Sequence, residues 1–379
     1  AIFDGIGNQF AEAINGQVLV ANTVVKTTDG NLTVAGTEGI GLGADATVDN
    51  GSLIFENDVE LAGPADQALT ATGGTLRLLG ALVKDTAGNV TLTGTEGIEL
   101  GADATVADGN LTAQNDVTLN GVADQQVEAT NGSLEFLGFV AKTNTGNLAL
   151  LAPDGIQIAG DLTVETDDLN VLSDAVVNGD TIAAGNDLTF EQSLEFAGST
   201  ITSATGDQTF RGDVNLTNAG GTTVNAQDGD GTVTLDEITV TGAGSLDVLA
   251  DAVLDQATVQ TDGDQTWERS LTLEGADPSV LEAAGDADVT VRGGIDGPGG
   301  LRILSSGQTT LDGNVGENGL VALLETDAAG NTVLNGELLR GSELLFDDAV
   351  RFTRDLEIRD AELTRFTGGL EGLDDDDAR

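Results

Sequence analysis

The chain has 379 residues, 14 Lys+Arg against 64 Asp+Glu, a net charge of −50, and no Cys, His, Met or Tyr. That composition excludes disulfide frameworks, thiolate nucleophiles, Ser-His-Asp triads and zinc held by His or Cys. So acidic a surface also repels the phosphate backbone of nucleic acids.

The first residues, AIFDGIGNQFAEAING, lack the alternation seen later. Phe3, Ile6, Phe10 and Ile14 recur at roughly helical spacing, with Gly5 and Gly7 opposing a helix. Residues 1–20 are therefore expected to be an N-terminal cap or docking segment, with Phe3, Ile6 and Phe10 as assembly contacts. A chain that starts at Ala1 and contains no Met is what removal of a signal peptide would leave. The expected location is extracellular or at the cell surface. No apolar run approaches the roughly 20 residues that cross a bilayer as a helix.

From Val24 the sequence repeats. VVKTTDGNLTVAGTEGIGLGADATV, opening residues 24–81, returns at an offset of 58 as LVKDTAGNVTLTGTEGIELGADATV, opening 82–139. A third copy, 140–199, keeps Lys142, Asn147 and Gly155 and then drifts. Inside each copy lie short cores that alternate apolar and polar residues, such as Leu32-Thr33-Val34 and Val90-Thr91-Leu92. Period two with Val, Thr and Leu is strand chemistry. Pairs such as Asp29-Gly30, Asn50-Gly51 and Asn131-Gly132 punctuate the cores as turns. The core anchors at 32, 53, 76 and 90 divide the repeat into steps of about 19 residues, and a coil of three short strands fits that step. The prediction is an all-β chain, a parallel β-solenoid over residues 21–367 with coils of about 19 residues. A thin column of stacked side chains suits the Ala/Val/Leu/Ile content and the 3% aromatic residues. The acidic stretch 368–379 reads as a tail.

All three lysines, Lys26, Lys84 and Lys142, occupy one repeat position. If each repeat is three coils, they form a line on one face, and they are candidate assembly contacts for an acidic neighbour or an anionic glycan. The alternative is inheritance by duplication. Asp228, Asp230, Asp236 and Glu237 resemble part of an EF-hand calcium loop, although Ala226 stands where the first Asp belongs. Calcium is the only cofactor these residues suggest, and a plain Asp/Gly turn is the competing reading.

The sequences GDQTF at 206–210 and GDQTW at 263–267, the GNLTV-type cores and the short coils resemble the filamentous-haemagglutinin-like β-helix passengers of bacterial secreted and surface proteins. The likeness runs from about residue 20 onward. It implies a right-handed parallel β-helix, export, and a role in adhesion or extracellular assembly. The expected function is a secreted, non-catalytic structural or adhesive solenoid, a building block of a fibre or surface layer that self-associates head-to-tail or laterally. Surface glycans are the other candidate partner. The alternative is a carbohydrate-binding or carbohydrate-degrading β-helix. No carboxylate pair stands out for glycoside hydrolysis, and Trp267 reads as packing in place of Phe210.

Overall fold

The computed structural model describes residues 1–226 and 231–372. The chain divides into two compact units, Ala1–Gln192 and Ser193–Arg379. Both are parallel β-solenoids, and no helix occurs among the described residues. Most coils lay one short strand on each of three faces, and these strands pair in parallel with their counterparts one coil on.

In the first unit the pairing is regular. On the second face Leu32, Leu53, Leu76, Ile98, Val117, Val140 and Leu162 stack in register. All seven are buried. Fully burying each such side chain stabilises the stack by about 1.5–3 kcal/mol. The residue between each buried pair points outward, which gives the buried–intermediate–buried pattern of strands such as Leu76–Leu78 and Val117–Leu119. In the second unit the third face runs in regular strands to Ile295–Asp296 and resumes where Leu338, Leu339 and Arg340 pair with Glu357, Ile358 and Arg359. Between the two stretches a lone bridge at Val315 links Ile295 to Leu339.

The coil step is longer than the sequence suggested, about 22 residues. Leu53 pairs with Leu76, Leu76 with Ile98, and Ile98 with Val117. The difference has a clear origin. The anchors at 32, 53 and 76 lie on successive coils of one face, whereas Val90 lies on another. Each of the first two repeat copies holds eight strands, Val24–Asp29 through Leu76–Leu78 and then Leu82–Lys84 through Leu134–Phe136. Eight strands at three per coil make two and two-thirds coils. Each copy therefore starts one face away from the previous copy. The third copy departs from this count, with nine strands from Val140–Lys142 to Leu194–Phe196.

Residues 1–20 are not helical. Ile2–Phe3, Gln9–Ala13 and Val18–Val20 form a coil whose strands pair with Val24–Asp29, Leu32–Gly36 and Ile40–Leu42. Strands also reach Leu370–Glu371, beyond residue 367.

Corners between strands are tight. Gly30, Gly88 and Gly146 hold one repeat position at φ of 104°, 120° and 100°. A Cβ at Gly88 would lie 2.6 Å from the backbone of Ala65, and one at Gly146 would lie 2.2 Å from that of Ala123. Only glycine meets both demands.

Candidate functional site

The chemistry-bearing side chains of the first unit point inward. Lys26, Lys84 and Lys142 are fully buried. In Leu82-Val83-Lys84 the lysine shares its parity with inward Leu82, as Lys142 does with Val140. Because of the eight-strand repeat, the three lysines stand on three different faces: Lys26 on the first, Lys84 on the third and Lys142 on the second. The expected line of cations on one face does not form, and none of the three is available to an outside partner.

Each lysine closes a small polar nest. Lys84 Nζ donates to Gly63 O at 2.7 Å, Gln67 Oε1 at 3.1 Å and Thr86 Oγ1 at 3.0 Å. Gln67 Oε1 also accepts from Gly63 N, while its Nε2 donates to Leu42 O. Lys142 repeats this with Gly121 O at 2.9 Å and Gln125 Oε1 at 3.0 Å. Lys26 Nζ donates to Gly5 O, Thr28 Oγ1 and Asp29 O. The recurring set is thus Gly63-Gln67-Lys84 and Gly121-Gln125-Lys142; one repeat upstream Gly5 and Lys26 keep their bond, but Gln9 at the matching position makes none to Lys26. Acceptors placed this way satisfy an ammonium that has left water. Burial pushes the Lys84 amine below the ordinary value of 10.5, and the charge of Asp66 opposes that shift. Burial does the same at Lys142, opposed by Asp167 and Asp124.

In the second unit Gln208 and Gln265 are buried glutamines with no lysine in the equivalent place. Gln265 Nε2 donates to Val259 O, Thr261 Oγ1 and Glu282 O. The Oε1 atoms of Gln208 and Gln265 have no donor among the described residues. Lys84 and Lys142 fill that role for Gln67 and Gln125, whereas Gln9 Oε1, like those of Gln208 and Gln265, has no donor among the described residues. Trp267 is buried beside a void of about 20 Å³, against Phe210, Leu246 and Val248. It packs the core, as expected.

The turn aspartates face the next coil. Asp66 Oδ1 accepts from Asn89 N, Asp103 from Gln126 N, Asp124 from Asn147 N and Asp264 from Asp288 N. Asn31 and Asn89 do the same for Ser52 N and Asn110 N. At a corner the ladder is interrupted, and these side-chain oxygens satisfy the backbone N–H it leaves. Much of the acidity is therefore inter-coil bonding.

Of the four calcium candidates, only Asp236 and Glu237 lie among the described residues; Asp228 and Asp230 lie outside them. Asp236 ends the strand Thr232–Asp236, paired with Asp255. Glu237 follows at φ 52° and accepts from Gln256 Nε2 at 3.1 Å. No group of three or more Asp or Glu side chains that could hold a metal occurs among the described residues.

Of the expected assembly contacts, Ile6 and Phe10 are well exposed, whereas Phe3 sits in register with buried Lys26. Ile2, Ile14 and Leu19 are exposed beside them. The polar surface of the second unit includes a groove of about 500 Å³ lined by Thr232, Asp251, Ser270, Thr272, Asp296 and Asn318. Its carboxylates are already engaged: Asp251 accepts from Ser270 N, and Asp296 from Asn318 N and Gly319 N.

The glutamine–lysine nests are the feature that sequence reasoning missed. The signal was present as a fixed spacing between Gln and Lys, repeated at 9/26, 67/84 and 125/142. No helix among the described residues is long and apolar enough to cross a membrane. No family model, curated protein or solved structure matches the chain.

Proposed function

We propose that the chain is a non-catalytic structural or adhesive β-solenoid that serves as an element of an extracellular fibre or surface layer. The observation that supports this reading is where its polar groups are used. Lysines, glutamines and turn aspartates are engaged in bonds from coil to coil. That arrangement stiffens the stack and leaves few of these groups to act on a substrate. The rotation of each repeat by one face argues the same way, since a flat array binder needs like residues stacked on one face. The resemblance to filamentous-haemagglutinin-like passengers, with right-handed winding, export and self-association, belongs to this proposal. The test is electron microscopy and light scattering of the purified chain, with and without residues 1–16. Filaments or end-joined particles that need those residues support the reading. A strictly monomeric chain that degrades or tightly binds a glycan in an array screen overturns it.

A further inference from the structure

A buried carboxylate staples two coils near the end of the second unit. Asp348 lies in the turn between the strands Leu338–Phe346 and Ala349–Phe352. It is 3% exposed, and Thr326 and Thr332 are fully buried. Thr326 Oγ1 donates to Asp348 Oδ1 at 3.0 Å, and Thr332 Oγ1 donates to Oδ2 at 2.7 Å. The two threonines flank the corner of the preceding coil. Thr326 is in register with Phe346, and Thr332 with Val350. The carboxylate thus ties both arms of one corner to the corner above it.

The surroundings are anionic. Asp327 follows Thr326 in the lower corner, and Asp347 is the neighbour of Asp348 in the upper one. The strand Leu363–Phe366 brings Arg365, which is engaged by Asp347 at 3.1 Å. On the strand Ala349–Phe352 the one charge, Arg351, is exposed. The strand Asn331–Leu334 brings no charge, and the backbone of Asp348 itself lies against Gly368. A carboxylate buried here without its own cation depends on the two hydroxyls and its own backbone amide. Hydroxyls can donate to an ionised carboxyl or accept from a neutral one, so both forms can bond, but only the charged form carries the cost of burial without a cation.

We propose that the Thr326–Asp348–Thr332 corner is a proton-operated clasp that tightens the last coils of the second unit in mildly acidic medium and loosens them at neutral pH. Burial, reinforced by Asp347, holds the Asp348 carboxyl above the usual aspartate value, and burial with the charge of Asp348 does the same for Asp327. The sign follows. A raised folded-state value favours the neutral form, so the added stability is complete below the unfolded value of 3.8 and is lost as pH rises through the folded value.

Hydrogen exchange of the full chain at pH 4.5 and 7.5, corrected for intrinsic rates, reads this locally. Peptides spanning 326–350 should gain about tenfold protection at pH 4.5 relative to peptides from 98–119. D348N should show the acid-like protection at pH 7.5. D347N should move the midpoint to lower pH, because it removes the neighbouring charge. Equal protection of 326–350 at both pH values overturns the proposal. So does a full pH step retained in D348N, or an unmoved midpoint in D347N.

Discussion

The substitution Gln67→Leu probes the nest most sharply. Gln67 is buried and makes three bonds: from Gly63 N, to Leu42 O and from Lys84 Nζ. Two are neutral, worth about 1 kcal/mol each, and the bond to the charged amine is worth about 1.5–3 kcal/mol. Leucine recovers about 1 kcal/mol through added apolar burial. The expected cost is therefore about 2.5–4 kcal/mol, borne by the coils that contain residues 42, 63 and 84. Removing the lysine as well, in Q67L/K84M, deletes the stranded cation. The second change should cost less than K84M alone, with a coupling energy of about 1.5–3 kcal/mol. A solenoid opens by neighbouring coils rather than all at once. Native-state hydrogen exchange of peptides over 61–92 is therefore the appropriate assay. A cost for Q67L below about 1 kcal/mol, or a coupling near zero, would refute the buried contact.

Other outcomes follow from the same arrangement. Lys84 and Lys142 titrate below 10.5 when folded, so stability of the first unit should rise as pH climbs from the folded value toward 10.5. With no Cys, His or Tyr in the chain, a urea series between pH 8 and 10.5 reads these amines almost alone, and K84M/K142M should flatten it. Asp124→Ala should cost about 1 kcal/mol by orphaning Asn147 N, while Asp124→Asn should be nearly neutral; exchange at Asn147 distinguishes them. Trp267→Ala should destabilise the second unit by about 3–5 kcal/mol in denaturant unfolding. Gly88→Ala should cost more than about 1 kcal/mol in the same assay on the first unit, because it combines positive φ with a backbone clash.

Much of the fold was legible. Leu32-Thr33-Val34 and its copies announce strands through alternation, and Asn-Gly and Asp-Gly pairs mark corners. The coil step was hidden because two periods compete: the duplication runs over eight strands and the winding over three. An observer who counts one as a multiple of the other assigns Val90 to the wrong face. The lysines were misplaced for a different reason. Lysine is rarely fully buried, and that expectation outweighed the parity of Lys84 with Leu82. Only a partner could justify the burial, and the partner, Gln67, lies on a different strand well upstream. The opening coil was obscured because its outward positions carry Ile2, Phe10 and Leu19, where later coils carry residues such as Thr47, Thr33 and Glu60. That reversal blurs period two into something resembling a helix.

The three-strand winding itself is open to one direct measurement. Thr47 and Thr70 face outward in register on neighbouring strands. Parallel neighbours lie about 4.8 Å apart, within disulfide range. In a chain free of native cysteine, T47C/T70C should oxidise to an intramolecular disulfide. T47C/D66C, the pair that the shorter coil would bring together, should remain reduced under the same conditions. Cross-linking of the second pair and not the first would contradict the winding and the rotation of the repeat that follows from it.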